Sequence, residues 1–506
     1  MSEEQKVPET EKPQADGTAT AQSPHKGFFG KVDNWFGITK SGSNYKREII
    51  AGVTTFMAMV YILMVNADFF SLVIGGENPY GAAYVATAIG AVAGTMLMAF
   101  LAKMPLAQAS GMGVNAFIVF TLINFGATGL SYANCMVFTL LDGVIFVILT
   151  ATGLRQKIFE AIPKAVRHAI PVGIGLFIAF IGMQNAGIIV VDASTLVTFV
   201  SFNVLDKGNS YGAMVGPLVA ILGVLAIAIL SKKNVKGSIL WGILGTAVLY
   251  YILMGIGYGI GDATAKAVFD NITFANPFKA FGAWGKDSVG VVFYEGFDFS
   301  TYLGLPNNNV GTLIVLLLTT ALSLCMIDMF DTIGTLYGAC SKGNLLDENG
   351  VPLNMNRMML CDAVATCVGA IAGTSTVTTF VESSSGVAAG GRTGFTALVT
   401  AVLFLIAMFL SPIAQLIPSE ATATALIWVG VLMMTSVVKV DWEDAGEAIV
   451  AFLTFIVMVL GYSISKGIGI GIIAFIVVKV CTGKVKEVSI PTWVIGALFL
   501  ATFILT

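Results

Sequence analysis

The chain has 506 residues, of which 56% are hydrophobic and only 11% are charged. Soluble proteins carry about 25% charged residues, so this composition excludes a soluble enzyme and a disordered protein. A nucleic-acid binder would need a basic patch, whereas the net charge here is −3. The class that remains is a polytopic protein embedded in a lipid bilayer.

The first 28 residues are rich in Ser, Thr, Pro, Gln and Glu and contain no apolar run. A signal peptide requires such a run, and polar segments of this kind bury too little apolar surface to fold. Residues 1–28 are therefore predicted to be a disordered cytoplasmic tail.

A membrane-spanning helix needs about 20 mostly apolar residues. Beyond the tail, fourteen apolar stretches approach this length, and a final stretch, 490–506, is either a further span or an interfacial segment. The fourteen stretches are 49–73, 82–103, 105–124, 130–153, 168–190, 211–230, 236–259, 311–338, 357–373, 376–392, 393–411, 421–437, 445–463 and 464–482.

Loop charges predict the orientation, because short cytoplasmic loops are enriched in Lys and Arg. The connections 124–130, 373–375 and 411–420 have none, and the hydrophilic insertion 260–310, with an Asn-Ile-Thr glycosylation pattern at 271–273, falls on the same side. We predict a multi-pass protein of the plasma (inner) membrane with a cytoplasmic N-terminus. The basic residues of the opposite loops are Arg155, Lys157, Lys164, Arg167, Lys232, Lys233, Lys236, Lys342, Arg357, Lys484 and Lys486.

Seven stretches precede the insertion and seven follow it, so two repeats, 49–259 and 311–482, would have inverted topology. The third and tenth stretches are short, polar and rich in small residues: Gln-Ala-Ser-Gly-Met-Gly-Val-Asn at 108–115 and Thr-Ser-Thr-Val-Thr-Thr-Phe-Val-Glu-Ser-Ser-Ser-Gly at 374–386. The β-branched run at 376–381 predicts a short strand. Interrupted segments at corresponding positions point to a transporter binding site. The predicted fold is an all-α membrane protein with short strands in segments 3 and 10.

Ionisable residues within apolar spans are costly and are therefore functional candidates. Apart from Arg392, at the end of the tenth stretch, all are acids. Acids without basic partners favour protonation, cation binding or donor-rich ligands, and they disfavour anionic substrates. The acids are Asp68, Asp142, Asp328, Asp331, Asp362 and Glu382.

Asp328 and Asp331 are spaced i, i+3, which places both on one helix face. Two carboxylates in a low dielectric cannot both ionise easily, so this pair suits a proton carrier; the alternative is a structural pair bonded to backbone. Glu382, at the start of a half-helix, could accept two N–H donors from a planar heterocycle or could act as a helix cap. The amide of Asn115 could contact a ligand or stabilise the break in its segment.

The remaining acids are less distinctive. Asp68, near a segment end, is predicted to have an interfacial or capping role. Asp142 and Asp362 are each predicted to make either structural polar contacts or an accessory contribution to function. Only two histidines are present, and the six cysteines form no CxxC pair. We therefore predict no metal site and no cofactor, and an integral membrane enzyme is disfavoured.

Residues 30–506 resemble the adenine/guanine/hypoxanthine permease branch of the nucleobase–cation symporter-2 (nucleobase/ascorbate transporter) family. The resemblance rests chiefly on Asp-Met-Phe-Asp-Thr-Ile-Gly-Thr-Leu at 328–336 and on the long motif at 374–394. Two positions depart from the family pattern. Ala-Ser-Gly at 109–111 replaces Ala-Pro-Gly, and Ala67 stands where proline is expected.

The resemblance implies a core domain of segments within 49–153 and 311–411 and a gate domain of segments within 168–259 and 421–482. Substrate would bind between them, near the two strands, and an elevator-like movement of the core would carry it across. The family implies a homodimer that imports purine nucleobases by proton symport. Sodium coupling, or an anion transporter of the same fold, are the alternatives.

The resemblance also implies roles for individual residues. Asp328 and Glu382 would hold the purine, with Asn115 and Ser383 completing the binding site. Asp331, together with Asp328 and Glu382, would couple binding to proton movement.

Overall fold

A computed structural model describes residues 27–124, 127–153, 162–202, 210–270, 272, 276–306, 308–348 and 350–505. Several predicted features lie outside these ranges. They are the tail up to residue 26, the basic loop residues Arg155 and Lys157, and Asn271 and Thr273 of the glycosylation pattern.

The described residues are mostly helical. Two antiparallel strand pairs are also present, formed by β1 (Gln108–Ser110) with β4 (Val377–Thr379) and by β2 (Ile189–Asp192) with β3 (Leu196–Phe199). The helices are α1 (Phe28–Phe36), α2 (Tyr45–Met59), α3 (Tyr61–Ser71), α4 (Pro79–Leu97), α5 (Met112–Ala116), α6 (Tyr132–Ala151), α7 (Lys164–Asn185), α8 (Tyr211–Lys232), α9 (Ser238–Gly259), α10 (Ala263–Asp270), α11 (Pro277–Asp287), α12 (Val291–Tyr294), α13 (Ser300–Leu303), α14 (Val310–Lys342), α15 (Met355–Ala372), α16 (Ser383–Ala388), α17 (Gly394–Ala407), α18 (Ser411–Ala414), α19 (Ser419–Met433), α20 (Ala445–Leu460), α21 (Ile464–Cys481) and α22 (Ile490–Leu505).

Eleven helices among the described residues are long and apolar enough to cross a membrane. Some are composite: α2 continues into α3, and a π-helical turn at Met98–Ala102 extends α4. The short α5, extended by a second π-helical turn at Phe117–Ile123, is shorter than these spans. The other long spans are α6, α7, α8, α9, α14, α15, α17 with α18, α19 with its 3-10 extension, and α21.

The first span begins at Tyr45, four residues before the predicted start. The side chain of Asn44 caps it by accepting a hydrogen bond from the Arg47 amide at 2.9 Å. A search for apolar stretches leaves out the charged first turn of α2, although Glu48 in that turn is fully buried. Its carboxylate accepts hydrogen bonds from the residues at the start of α17, including the Arg392 amide at 3.0 Å, just before the helix, and the Thr396 hydroxyl at 2.6 Å, in its first turn.

The third and tenth predicted segments meet through their extended parts. In the β1–β4 pair, Gln108 lies opposite Thr379 and Ser110 lies opposite Val377, and all six strand residues are buried. Each strand leads into a short helix, α5 or α16. The β-branched side chains of β4 favour extended backbone, and burial of both strands is possible because their backbone groups pair with each other.

The helices pack as two groups. The first contains α2, α3, α4, α6, α15 and α17, and the second contains α7, α8, α9, α19, α20 and α21. In the second group α7 and α19 approach very closely, since a Cβ on Gly430 would lie 2.6 Å from the carbonyl oxygen of Gly175. The long helix α14 packs on α6, α16 and β4 and also contacts α7 and α21, so it lies where the two groups meet.

Three folded features were not predicted. The hydrophilic insertion 260–310 contains α10 to α13, and α11 packs on α4 and is tied to the end of α15 by a 2.8 Å hydrogen bond from Trp284 Nε1 to the Ala372 carbonyl. The β2–β3 hairpin lies between α7 and α8. The predicted tail ends within α1, which begins at Phe28. These elements are amphipathic or short, so none of them contains an apolar stretch long enough to be recognised as a membrane span.

Candidate functional site

Four acids converge around the β1–β4 pair. Asp328 and Asp331 lie on α14, Asp362 lies on α15, and Glu382 follows β4 at the first residue before α16. Three of them are almost completely buried, and Asp331 is half-buried. The structure therefore brings together Asp328, Asp331 and Glu382, the acids singled out by their sequence context.

Glu382 is held by a residue that sequence reasoning missed. The hydroxyl of Tyr61, at the start of α3, donates a 2.7 Å hydrogen bond to Glu382 Oε1, and both side chains are buried. The other carboxylate oxygen, Oε2, is buried and accepts no hydrogen bond from any described residue. A buried acceptor without a partner costs free energy, so Oε2 is a natural place for a ligand donor. A tyrosine in an apolar run carries no distinguishing signal in one sequence.

Asp331 lies next to Glu382. The Thr378 hydroxyl of β4 donates to Asp331 Oδ2 at 3.5 Å, a long and weak contact. The carboxyl groups of Glu382 and Asp362 interact electrostatically with that of Asp331. Asp331 is therefore a half-buried residue whose carboxyl group is close to two others.

Asp328 is connected to Asp362 through a hydroxyl. Thr332 Oγ1 lies 2.6 Å from Asp362 Oδ2 and 3.5 Å from Asp328 Oδ1, so the shorter contact dominates. The carboxylate of Asp362 also accepts hydrogen bonds from Gln108 Nε2 at 3.3 Å and from the Thr379 amide at 3.1 Å. Asp362 thus joins both strands to α14 and α15, which is a structural role.

Asn115 braces the two broken segments. Its amide nitrogen donates to Asn66 Oδ1, and its Oδ1 accepts hydrogen bonds from the hydroxyls of Ser375 and, at 3.1 Å, Ser110. The hydroxyls of Ser110 and Ser375 lie 2.8 Å apart. The serine that replaces the family's proline therefore supplies a hydroxyl to this network. Both polar ends of the Asn115 amide contact protein.

Ser383 holds the start of α16 against the residue before β1. Its hydroxyl accepts a hydrogen bond from the Ala107 amide at 3.0 Å and lies 3.3 Å from the Ala107 carbonyl oxygen. Ser383 is fully buried. This contact ties the residue that follows Glu382 to the backbone just before β1.

The other ionisable residues lie away from this cluster. Asp68 accepts a 2.7 Å hydrogen bond from Thr422 on α19, so it makes a contact between two helices. Asp142 is buried on α6, which packs on α15. Arg392 donates at 2.7 Å to the carbonyl oxygens of Val387 and Gly391, at the end of α16. Across the described residues, no three His, Cys, Asp or Glu side chains are arranged as metal ligands.

The sequence matches known transporters over nearly its whole length. Residues 46–470 match the profile of the Permease family (Xan_ur_permease). The guanine/hypoxanthine permease PbuO of Bacillus subtilis (strain 168) is 36% identical over 474 residues, covering 93% of this chain and 100% of PbuO. The adenine permease AdeQ of Escherichia coli (strain K12) is 35% identical over 476 residues, covering 94% of this chain and 97% of AdeQ.

Among solved structures, the transmembrane domain of the cyanobacterium bicarbonate transporter BicA is similar in fold. Its TM-score is 0.55 at 16% sequence identity, with 83% of this chain and 97% of that domain covered. The resemblance stated from the sequence is confirmed by PbuO and AdeQ, and so is the expectation that the protein is not an enzyme. With its apolar spans, the chain is a multi-pass membrane transporter that belongs to the Permease family, in the adenine/guanine/hypoxanthine permease branch.

Proposed function

We propose that this protein imports purine nucleobases by proton symport. The observation that carries the proposal is the state of Glu382: Tyr61 holds one carboxylate oxygen, while the other is buried without a hydrogen-bond donor among the described residues. Permeases for guanine, hypoxanthine and adenine are among the relatives. A purine is planar and carries N–H donors, so it can satisfy Oε2.

Recognition by a buried acceptor also favours selectivity. A ligand without the matching N–H would leave Oε2 unpaired, and a site built for hydrogen bonds rejects such analogues strongly. In the proposed site Glu382 and Asp328 bind the purine, and Asn115 and Ser383 maintain the geometry of the two breaks. The contacts of Asn115 and Ser383 with neighbouring backbone and side chains support a positioning role for both.

Proton coupling is assigned to Asp331, Glu382 and Asp328. Like charges repel strongly in a low dielectric, so a proton on one member of the Asp331–Glu382 pair lowers the electrostatic energy of the site. Asp331 is the half-buried member, which supports its access to water. A proton would enter with the purine and leave on the opposite side.

The proposed architecture has fourteen segments in two inverted repeats. The antiparallel β1–β4 pairing supports it, because a twofold axis in the membrane plane pairs equivalent strands in this way. The first helix group would be the core and the second the gate, with the strands moving as part of the core. The repeats would allow alternating access by an elevator-like movement.

The proposed location is the plasma (inner) membrane, with the N-terminus in the cytoplasm and two chains forming a homodimer. The basic residues at the ends of α8 and α14, Lys232 and Lys342, support this orientation under the positive-inside rule. Sodium coupling stays an alternative, since carboxylates also bind sodium.

The test is uptake of radiolabelled adenine, guanine and hypoxanthine in cells that lack their own permeases. Glu382→Ala and Asp328→Ala are expected to abolish saturable uptake at equal surface expression. Proton symport should make the medium more alkaline during uptake without a sodium requirement. Purine uptake that is unchanged in both variants would falsify the site assignment.

A further inference from the structure

A short amphipathic helix, α1, lies against the ends of three membrane helices. The ring of Phe36 packs on Phe100 at 5.7 Å and on Phe395 at 5.8 Å, and the ring of Phe29 packs on Tyr45 at 5.7 Å. These partners lie in the π-helical turn after α4 and at the starts of α17 and α2. Because all three are helix ends, α1 is held at the membrane surface.

The outer face of α1 exposes large aromatic side chains. Phe28 is 74% exposed, Phe29 is 61% exposed and Trp35 is 56% exposed. Aromatic side chains at this depth favour the boundary between headgroups and acyl chains, and a helix that presents them lies in the plane of the interface.

The exposed charge next to this face is positive. Between residues 27 and 50 the only acids are Asp33 and Glu48, and both are buried. Asp33 is satisfied internally by the Thr39 amide at 2.8 Å and the Thr39 hydroxyl at 2.7 Å. The bases of the same stretch are all exposed: Lys31, Lys40, Lys46 and Arg47.

Two grooves of different character adjoin at Phe100. The first has a volume of about 320 Å³ and is lined by Lys31, Val32, Trp35, Phe36 and Phe100. The second has a volume of about 300 Å³ and runs between α4 and α15 with only apolar lining, including Phe100, Ala93 and Val368. From residue 100 to residue 93, a helix descends about 10 Å.

Together these grooves complement the two parts of a phospholipid: a cation with an aromatic wall at the surface suits the headgroup, and an open apolar groove directed towards the bilayer interior suits an acyl chain. Lys103 adds a second cation, since its amine lies 4.6 Å from the centre of the Trp35 ring. A basic surface attracts anionic headgroups by about 1 kcal/mol per Lys or Arg.

We propose that the grooves form one binding site for an anionic phospholipid. The phosphate would lie against Lys31 and Trp35, and an acyl chain would follow α4 and α15 past Phe100. The site is formed by α1 together with α4 and α15 of the first helix group. It is separate from the acidic cluster at the strands, so it does not depend on the substrate assigned above.

The test uses the full-length protein in vesicles of phosphatidylcholine alone or mixed with phosphatidylglycerol, with one lipid brominated at a time. Quenching of Trp35 is obtained as the difference between the wild type and Trp35→Phe. Brominated phosphatidylglycerol is expected to quench Trp35 more strongly than brominated phosphatidylcholine. Lys31→Gln should lower this preference about fivefold, and Lys31→Arg should retain it.

Trp442 provides a matched control. It is 47% exposed and is flanked by the exposed acids Asp441 and Glu443, so its quenching, measured with Trp442→Phe, should show no preference for phosphatidylglycerol. Equal quenching of Trp35 by both lipids would overturn the proposal. So would a Trp35 shielded from both lipids, the result expected if residues 1–26 cover the groove.

Discussion

The hydroxyl of Tyr61 donates a 2.7 Å hydrogen bond to the Glu382 carboxylate, joining the first membrane span to the residue that precedes α16. The two residues are 321 positions apart in the chain. Since Glu382 Oε2 lacks a described donor, the Tyr61 bond fixes the orientation in which this oxygen meets a ligand.

Tyr61→Phe should therefore impair transport without unfolding the protein. A hydrogen bond to a charged group contributes about 1.5–3 kcal/mol, so we expect purine uptake at low substrate concentration to fall about tenfold or more. The matched control is Tyr84→Phe, which removes a buried 3.0 Å hydrogen bond to the Ala407 carbonyl away from the acids. Wild-type uptake by Tyr61→Phe would contradict the positioning role.

Asp362→Ala should chiefly affect stability. It removes the acceptor of the Thr379 amide and the close acceptor of the Thr332 hydroxyl in a buried region, and each unsatisfied group costs about 1–3 kcal/mol. Gln108 loses one of the two hydrogen bonds of its side-chain nitrogen and keeps the one to the Thr379 hydroxyl. We expect a lower unfolding temperature of the purified protein in detergent. Asp362→Asn keeps an acceptor oxygen and should lie between the wild type and Asp362→Ala; equal unfolding temperatures for all three proteins would refute the structural role.

Glu48→Ala should reduce the amount of folded protein but leave substrate affinity unchanged. The carboxylate holds α2 to the start of α17 through the Arg392 amide and the hydroxyls of Thr393, at 2.9 Å, and Thr396. Surface expression and the KM of uptake are measured together. A changed KM at reduced expression would mean that this contact also shapes the substrate site.

A cross-link between α14, which carries Asp328 and Asp331, and α21 of the second helix group should arrest transport. The hydroxyls of Ser323 on α14 and Ser465 on α21 lie 2.7 Å apart, so Ser323→Cys with Ser465→Cys, in a background without native cysteines, is expected to form a disulfide. Oxidation should block uptake, and a reductant should restore it. The two single variants are the controls, and undiminished uptake by the cross-linked protein would exclude movement of α14 against α21.

The interrupted segments and the clustered acids could be predicted because each leaves a local signal. Polar, small and β-branched residues within an apolar chain identify positions 108–115 and 374–386, and the cost of buried charge identifies Asp328, Asp331 and Glu382. No such signal exists for Tyr61 or for the β2–β3 hairpin. The sequence identifies Asp362 as an acid within an apolar span. It does not identify the hydrogen-bond donors of Asp362, Gln108 among them, because they lie on other helices and strands.

The sequence is enough to place the chain in a membrane, because too few charges are present to cover it with a polar surface. It also determined where the helices break and which acids are unusual, because these properties depend on neighbouring residues. Which side-chain oxygen atoms accept a hydrogen bond, in contrast, depends on the tertiary structure. The partners of Glu382 and Asn115 come from distant spans, and hydrogen-bond geometry at about 3 Å is set by packing. The hydrogen bonds of Asn115 and Ser383 to other parts of the protein therefore became apparent only in the folded chain. The same is true of Glu382 Oε2, which has no donor among the described residues.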